Sequence, residues 1–573
     1  MFSTLFTIHS RVGRVAIMGV PIAPSDVDNA TDPLTVTRPA GGWGGPLSTH
    51  CPAMIRATGS RHEPSTAYPR PHHHQRREQP TRPEHRILEP VTAVPDLSAF
   101  IKAYDVRGLV PEQLSPEVAY AVGAAFAEVV AKADGSNAVV IGHDMRPSSP
   151  ELSQAFARGV TERGLDVILI GLASTDQLYF ASGDLDLPGA MFTASHNPAQ
   201  YNGIKLCRSG ARPVGQDSGL PEIRDLAQAV LGGYASLAQV ESPGQVGERD
   251  VLGAYGAFLR SLVDLCGIRP LTVVIDAGNG MAGHTVPAVL GTAAGLAQLP
   301  LDIVPLFFEL DGTFPNHEAN PLDPANLVDL QAKVQEVKAD LGLAFDGDAD
   351  RCFVVDERGE PVSPSAITAL VARREIARET ATGTDPQHVR IVHNAITSKV
   401  VEEEIQAAGA EPVRTRVGHS FIKGEMARTG AVFGGEHSAH YYFRDFWFAD
   451  TGMLAALHVL AALGETTEPL SAIGGRFDRY AASGEINSTV ADADAATAAV
   501  QTWATETHAP IDTDTLDGLT ITKRGDDGEW LWWFNLRASN TEPLLRLNAE
   551  ARDEATMTTI RDQVLAIVRG SLP

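Results

Sequence analysis

Ser195 stands in the run Thr193-Ala194-Ser195-His196-Asn197-Pro198, directly behind the apolar Ala190-Met191-Phe192. A hydroxyl at the exit of a strand is presented to a ligand, and small polar neighbours leave backbone N–H groups to receive an anion. The segment therefore offers a nucleophile beside an anion seat; it also reads as an ST-type turn closed by proline. Lys205, in Tyr201-Asn202-Gly203-Ile204-Lys205, returns ten residues later and is able to lean back over the same place. There a compact ammonium would steady charge or exchange a proton. Taken by itself, it reads as a surface lysine.

Asp346-Gly347-Asp348-Ala349-Asp350-Arg351 follows the apolar run Leu341–Phe345. Three carboxylates so close together repel one another and are costly beside a buried strand unless a cation joins them. The small residues between them let a tight loop turn all three inward, and hard oxygen ligands of this kind suit Mg²⁺. A calcium loop would carry Gly where Arg351 stands. A phosphatase with an aspartate nucleophile would make the serine segment superfluous. A solvated acidic loop is the plainest alternative.

Two further segments offer polar groups in turns. Gly434-Gly435-Glu436-His437-Ser438-Ala439-His440 supplies a carboxylate, a hydroxyl and an imidazole, a set that reads sugar hydroxyls. His419 and Lys423 lie upstream in Val417–Lys423, and each histidine alone reads equally as a structural residue. Arg537-Ala538-Ser539-Asn540-Thr541-Glu542-Pro543 makes a phosphate cradle or a polar turn. Phe100–Gly108 and Gly142–Ser148 bring further arginines that alone indicate nothing. No glycine-rich nucleotide loop is present, so ATP or dinucleotide use is not supported.

The elements that must hold these loops alternate between strand and helix. Ala138–Gly142 reads as a buried strand, Pro150–Gly164 as a helix and Asp166–Ile170 as the next strand. The same grammar returns at Leu271–Ile275 and Val389–Val392, which implies α/β domains with parallel or mixed sheets. Beyond residue 475, a helix over Ala495–Thr505 and strands near 518–522 and 530–536 read as a separate α+β unit. The chain of 573 residues divides into 1–95, 96–245, 246–358, 359–475 and 476–573.

The first ninety residues hold 12 of the 37 prolines, 7 of the 18 histidines and ten arginines against seven acids, a net of +3. Such sequence lacks either hydrophobic period and is expected to be a disordered or non-native extension, in which the triplet His72-His73-His74 carries no site. The net charge of −25 argues against nucleic acid and anionic membrane as partners. Four scattered cysteines indicate neither disulfides nor zinc. With no apolar run of membrane length and no clear signal peptide, a cytoplasmic protein is expected.

From about residue 97 onward, the serine, aspartate, Gly-Glu-His-Ser-Ala-His and Arg-Ala-Ser-Asn-Thr segments resemble, in this order, the signatures of the α-D-phosphohexomutase superfamily. The wording of 435–440 and of Asp311-Gly312-Thr313-Phe314-Pro315-Asn316-His317 is closest to its phosphomannomutase/phosphoglucomutase branch. The resemblance implies three related α/β domains and a C-terminal α+β domain around a central cleft. It implies that Ser195 carries a phosphate and, with Asp346, Asp348 and Asp350, holds Mg²⁺. Lys205, His419, His440 and Arg107 would serve proton transfer or catalysis, and Tyr104, Arg351, Glu436 and Ser438 would bind substrate. Arg537, Ser539, Asn540 and Thr541 would grip its non-reacting phosphate. Ala439 departs from the family's more frequent glycine.

The implied reaction interconverts mannose 6-phosphate and mannose 1-phosphate through a hexose 1,6-bisphosphate, which also serves as activator. Phosphoglucomutase or dual specificity is the nearest alternative, and phosphoglucosamine mutation lies further off. A Mg²⁺-dependent phosphatase and a non-catalytic sugar-phosphate sensor are readings from other classes. The sequence does not set the oligomeric state.

Overall fold

A computed structural model describes residues 94–102, 104–235, 237–238, 240–538 and 544–570. The extension expected over 1–95, with its histidine triplet, lies outside the described residues except at its end. There the Pro95 carbonyl accepts from Gln228 Nε2 at 3.1 Å.

Among the described residues, four sheets follow one another along the chain. In the first, Asp166–Leu172, Ala138–His143 and Gly189–Phe192 run parallel. Tyr201–Arg208 then pairs antiparallel with Gly189–Phe192, and Val106–Leu109 antiparallel with Tyr201–Arg208. Val246–Glu248 adds a parallel edge beside Asp166–Leu172. The second sheet repeats the scheme: Leu301–Leu306, Leu271–Asp276 and Leu341–Phe345 run parallel, and Cys352–Val355 and Pro361–Val362 follow antiparallel. The third does so again, with Glu411–Thr415, Arg390–Asn394 and Phe433–Gly435 parallel before Tyr441–Phe443 and Ala449–Asp450.

Each of these sheets thus has one corner where a parallel strand turns straight back into an antiparallel neighbour. The corner loops are 193–200, 346–351 and 436–440, three of the segments that carried chemistry in the sequence. They leave the carboxyl ends of parallel strands, where open α/β sheets place their ligands. The strands that feed them are apolar because both sheet faces are covered by helices. Gly189–Phe192 and Leu341–Phe345 are buried at every position.

The expected strands and helices fall close to where the sequence put them, at Ala138–His143, Ser149–Thr161, Asp166–Leu172, Leu271–Asp276 and Arg390–Asn394. One apolar core runs through the first three units, from Val140 and Leu178 through Tyr255 and Leu343 to Met453 and Leu457. The fourth sheet is wholly antiparallel and packs Ala493–His508 and Glu554–Val568 over its own core of Val500, Phe534, Leu547 and Val564. Its links to the third unit include polar contacts: Lys399 N–H to Glu550 at 3.0 Å, Val417 N–H to Asp517 at 3.0 Å and Trp530 Nε1 to Glu403 at 2.9 Å. No helix among the described residues is long and apolar enough to cross a membrane.

Candidate active site

Ser195 has a left-handed backbone, with φ of +50°. For a side-chain-bearing residue that conformation costs about 1–2 kcal/mol and persists only where the surroundings impose it. Here Arg146 imposes it. Its guanidinium is buried and donates to three carbonyls of the serine loop, Ser195 at 2.9 Å, Asn197 at 2.6 Å and Pro198 at 2.9 Å, and to that of Tyr201, where the next strand begins, at 3.0 Å. Asp144, equally buried, holds Arg146 in turn through Nε at 3.2 Å. The Ser195 N–H donates to Thr193 Oγ1 at 2.9 Å. The result is a hydroxyl pointed across the domain seam, donating to Asp346 Oδ2 at 2.8 Å.

Asp346, Asp348 and Asp350 are each no more than 1% exposed, and their oxygens approach within 4.8 Å of one another. Gly347 lets this loop close on the first: a Cβ there would lie 2.4 Å from the Ser195 carbonyl. Arg351 Nη2 reaches Asp346 Oδ2 at 2.7 Å and His196 Nδ1 at 2.6 Å. Lys205 Nζ reaches Asp348 Oδ2 at 2.7 Å and Asp350 Oδ2 at 2.5 Å. Burial pushes the Asp346 carboxyl up to about 7 against the opposing Arg351, with Asp350 and Asp348 adding to the rise. Burial would raise Asp348 too, but the Lys205 ammonium overrides it and holds that carboxyl well below the usual range. In return, the two carboxylates outweigh burial at Lys205 and keep it charged.

Asp348 Oδ1 and Asp350 Oδ1 are buried and accept no hydrogen bond from the described residues. Buried carboxylate oxygens without a donor are expensive, and crowded anions are relieved by a hard cation. The donor set fits Mg²⁺. A second group, Asp350, His440 and Asp450, also converges within 4.8 Å. There the Lys423 ammonium already lies 2.5 Å from Asp450.

Arg107 joins the serine loop through Asn197 Oδ1 at 2.7 Å and pairs with Asp105 at 2.6 Å. The third corner approaches from the other side. His440 Nε2 lies 3.8 Å from Asp350 Oδ1, and its Nδ1 is 3.0 Å from Ser438 Oγ. Arg351 and His440 also bridge as isolated β-partners. Glu436 is buried and accepts from Asn394 Nδ2 at 3.0 Å, Gly418 N–H at 3.1 Å and Tyr442 OH at 2.7 Å. The His419 ring lies 5.1 Å from that of Tyr104. Burial and then Lys423 lower His419 to about 4, so it is neutral at physiological pH.

Ser195, the three aspartates, Arg351, Lys205, Arg107 and His440 are thus tied together directly, with Glu436, Ser438, His419 and Tyr104 around them. Among the described residues, Arg537 donates to Glu485 at 2.7 Å within the fourth sheet. Ser539, Asn540 and Thr541 lie outside the described residues. Arg146 and His196 were visible in motif segments without an assigned part. Thr175, which donates to Asp348 Oδ2 at 2.6 Å, gave no signal at all.

Family models match along the chain as follows: phosphoglucomutase/phosphomannomutase alpha/beta/alpha domain I over residues 99–230, domain II over 255–359, domain III over 363–480 and the C-terminal domain over 485–567. A phosphohexose mutase of Xanthomonas campestris pv. campestris is 39% identical over 477 residues, 83% of this chain and 100% of that protein. A phosphomannomutase of Salmonella typhimurium is 38% identical over 466 residues, 81% of this chain and 97% of the other. The crystal structure of a phosphoglucomutase/phosphomannomutase family protein from Burkholderia thailandensis superposes with a TM-score of 0.70 at 30% identity, covering 82% of this chain and 98% of that one.

Proposed function

Because this chain belongs to the phosphoglucomutase/phosphomannomutase family, and is therefore an intramolecular phosphotransferase acting on hexose phosphates, we propose that it interconverts mannose 6-phosphate and mannose 1-phosphate. The observation that carries the reading is the Ser195 hydroxyl, strained into place and 2.8 Å from a carboxylate of the buried aspartate cage. The relatives named phosphomannomutase and the Glu436–His440 loop favour mannose.

Phosphorylated Ser195 gives its phosphoryl group to the free hydroxyl of the bound monophosphate. The Oγ–P bond breaks as the sugar oxygen–P bond forms, and the hydroxyl proton leaves to a neighbouring base. The resulting hexose 1,6-bisphosphate turns around and returns its other phosphoryl group to Ser195 Oγ, and trace bisphosphate primes the enzyme. Asp346, Asp348, Asp350 and Ser195 would hold Mg²⁺, which when bound neutralises charge on the transferring group. Lys205 and Arg351, already fixed by the cage, supply preorganised positive charge around the reacting oxygens. His419, neutral at physiological pH, and His440 would exchange the hydroxyl proton, and Arg107 would steady the serine loop. Glu436 and Ser438 read the sugar, with Tyr104 beside His419. The 537–541 loop takes the phosphate that does not react, the same group in either orientation of the bisphosphate.

A second reading, activity on glucose phosphates as well, is favoured by the relative named as a phosphohexose mutase. The test is kcat/KM for mannose 1-phosphate against glucose 1-phosphate, with Mg²⁺ and trace hexose bisphosphate. Preference for mannose or near-equal rates is expected; strong preference for glucose overturns the mannose assignment. Ser195→Ala is expected to abolish turnover with the fold intact, and full activity in it would remove the mechanism. Release of inorganic phosphate as the main product would indicate a phosphatase instead.

A further inference from the structure

We propose that Asp176 is a positioning residue for the aspartate cage, fixing where Asp348 stands by locking three domains together directly behind it. The inference rests on reading Asp346, Asp348 and Asp350 as a divalent-cation site.

The link begins at Thr175, the first residue of the helix Thr175–Leu185. Its N–H donates to the Asp348 carbonyl at 3.0 Å and its hydroxyl to Asp348 Oδ2 at 2.6 Å. One residue of the first domain therefore grips both ends of a cage residue from the second. Whatever fixes Thr175 fixes Asp348.

Asp176 comes next and is 1% exposed. Its Oδ1 accepts from Ser174 Oγ, the residue that caps this helix. Its Oδ2 accepts from Tyr255 OH at 2.7 Å and from Thr451 Oγ1 at 2.7 Å. Tyr255 lies on the helix Leu252–Leu262 of the second domain, and Thr451 caps the helix Gly452–Gly464 of the third. Both are fully buried. Thr451 also follows Asp450, the partner of Lys423. A single carboxylate thereby joins the first, second and third domains one residue away from the cage.

The chemistry of this junction is specific. All three partners are hydroxyl donors, and among the described residues no cation pairs with Asp176. A buried charge held only by neutral donors costs several kcal/mol in desolvation. Packing the same seam with apolar side chains would avoid that penalty, as the buried core to which Leu259 and Leu457 belong does elsewhere. What a carboxylate adds is two oxygens that accept from three directions, which fixes a helix start more narrowly than contact alone. Residues that orient metal ligands from behind change affinity or activity about 10–100-fold when altered.

The experiment measures Mn²⁺ binding to the full chain, by the loss of the free-ion electron paramagnetic resonance signal, in wild type, Asp176→Asn, Thr451→Val and Tyr255→Phe. Asn keeps the volume but places an N–H₂ donor among donors. In Asp176→Asn the Kd for Mn²⁺ is expected to rise by about tenfold or more, with KM for hexose phosphate unchanged. Each single-hydroxyl variant should raise it by a smaller factor. If wild type binds no Mn²⁺, the cage reading itself fails. If wild type binds and Asp176→Asn binds equally well, the cage stands and the positioning role is overturned, whatever the change in Tm. Should Asp176→Asn not fold, Tyr255→Phe decides: an unchanged Kd in that variant overturns the proposal.

Discussion

Phe345 pairs with Cys352 where the second sheet turns from parallel to antiparallel, and Gly435 pairs with Tyr441 at the same corner of the third. The two loops between them are built alike. Each begins with a buried acid, Asp346 or Glu436, and each has an alanine three residues later in the left-handed region, Ala349 at φ +59° and Ala439 at φ +64°. In each the alanine N–H closes a turn on the acid's carbonyl, at 3.0 Å and 3.2 Å. They differ in what surrounds them. The 346–351 loop is buried throughout, and Ser195, Thr175 and Lys205 of another domain reach into it. In the 436–440 loop, His437, Ser438 and His440 are only half-buried. Except for the approach of His440 to Asp350 and its bridge to Arg351, its hydrogen-bond partners among the described residues lie within the third domain: Asn394, Gly418 and Tyr442 for Glu436, and Ser365 for His437. One corner concentrates charge where water is excluded; its counterpart keeps directional groups open on a rigid base. Charge neutralisation gains from a low dielectric, whereas recognition needs groups that a ligand can reach.

The comparison breaks most sharply at charge. Asp348→Asn keeps the shape of the first loop but removes the charge that holds Lys205 and faces the cation site. We expect kcat to fall by about 10²–10³, the scale of losing one preorganised electrostatic contact in a reacting centre. The ratio of mannose to glucose activity should not move. Steady-state kinetics on both sugars at saturating Mg²⁺ checks this, and a changed sugar ratio would show that the two corners do not divide the work as described.

Ser438→Ala probes the other corner and should give the opposite signature. Its hydroxyl is 3.0 Å from His440 Nδ1 and accessible. Removing it costs about one hydrogen bond, ~0.5–1.5 kcal/mol, so KM should rise by a few-fold and the sugar ratio should shift while kcat holds. A large loss of kcat with no change in KM would place Ser438 in the chemistry instead.

What the sequence disclosed and what it withheld follow the same division between local and long-range order. The aspartate cage was legible because its three carboxylates share one loop, and the strand before it is an unbroken apolar run, Leu341–Phe345. The repeated strand-then-helix pattern was legible for the same reason. Arg146 was seen within Gly142–Ser148 but carried no meaning there, because its four carbonyl partners lie 49 to 55 residues away. Thr175 and Asp176 are single polar residues at the start of a helix, and their roles exist only where different domains meet. No period or spacing announces such residues. The phosphate-gripping part assigned to Ser539, Asn540 and Thr541 rests on the family resemblance, with Arg537 tied to Glu485 in the sheet beside them.

The smallest effect tests the feature the two corners share. A left-handed alanine costs about 1–2 kcal/mol, and glycine relieves that while adding about 0.5–1 kcal/mol of unfolded-chain entropy. In Ala439→Gly and Ala349→Gly alike, the backbone balance alone would raise stability by about 0.5–1 kcal/mol, seen as a higher midpoint of unfolding. Both alanines are buried, Ala349 at 1% and Ala439 at 0% exposed, so losing either methyl group removes packing. Gain and loss offset, and only a small net change of the same size is expected at the two positions. A gain at one position alone would show that the two turns, alike in backbone geometry, differ in the strain they carry.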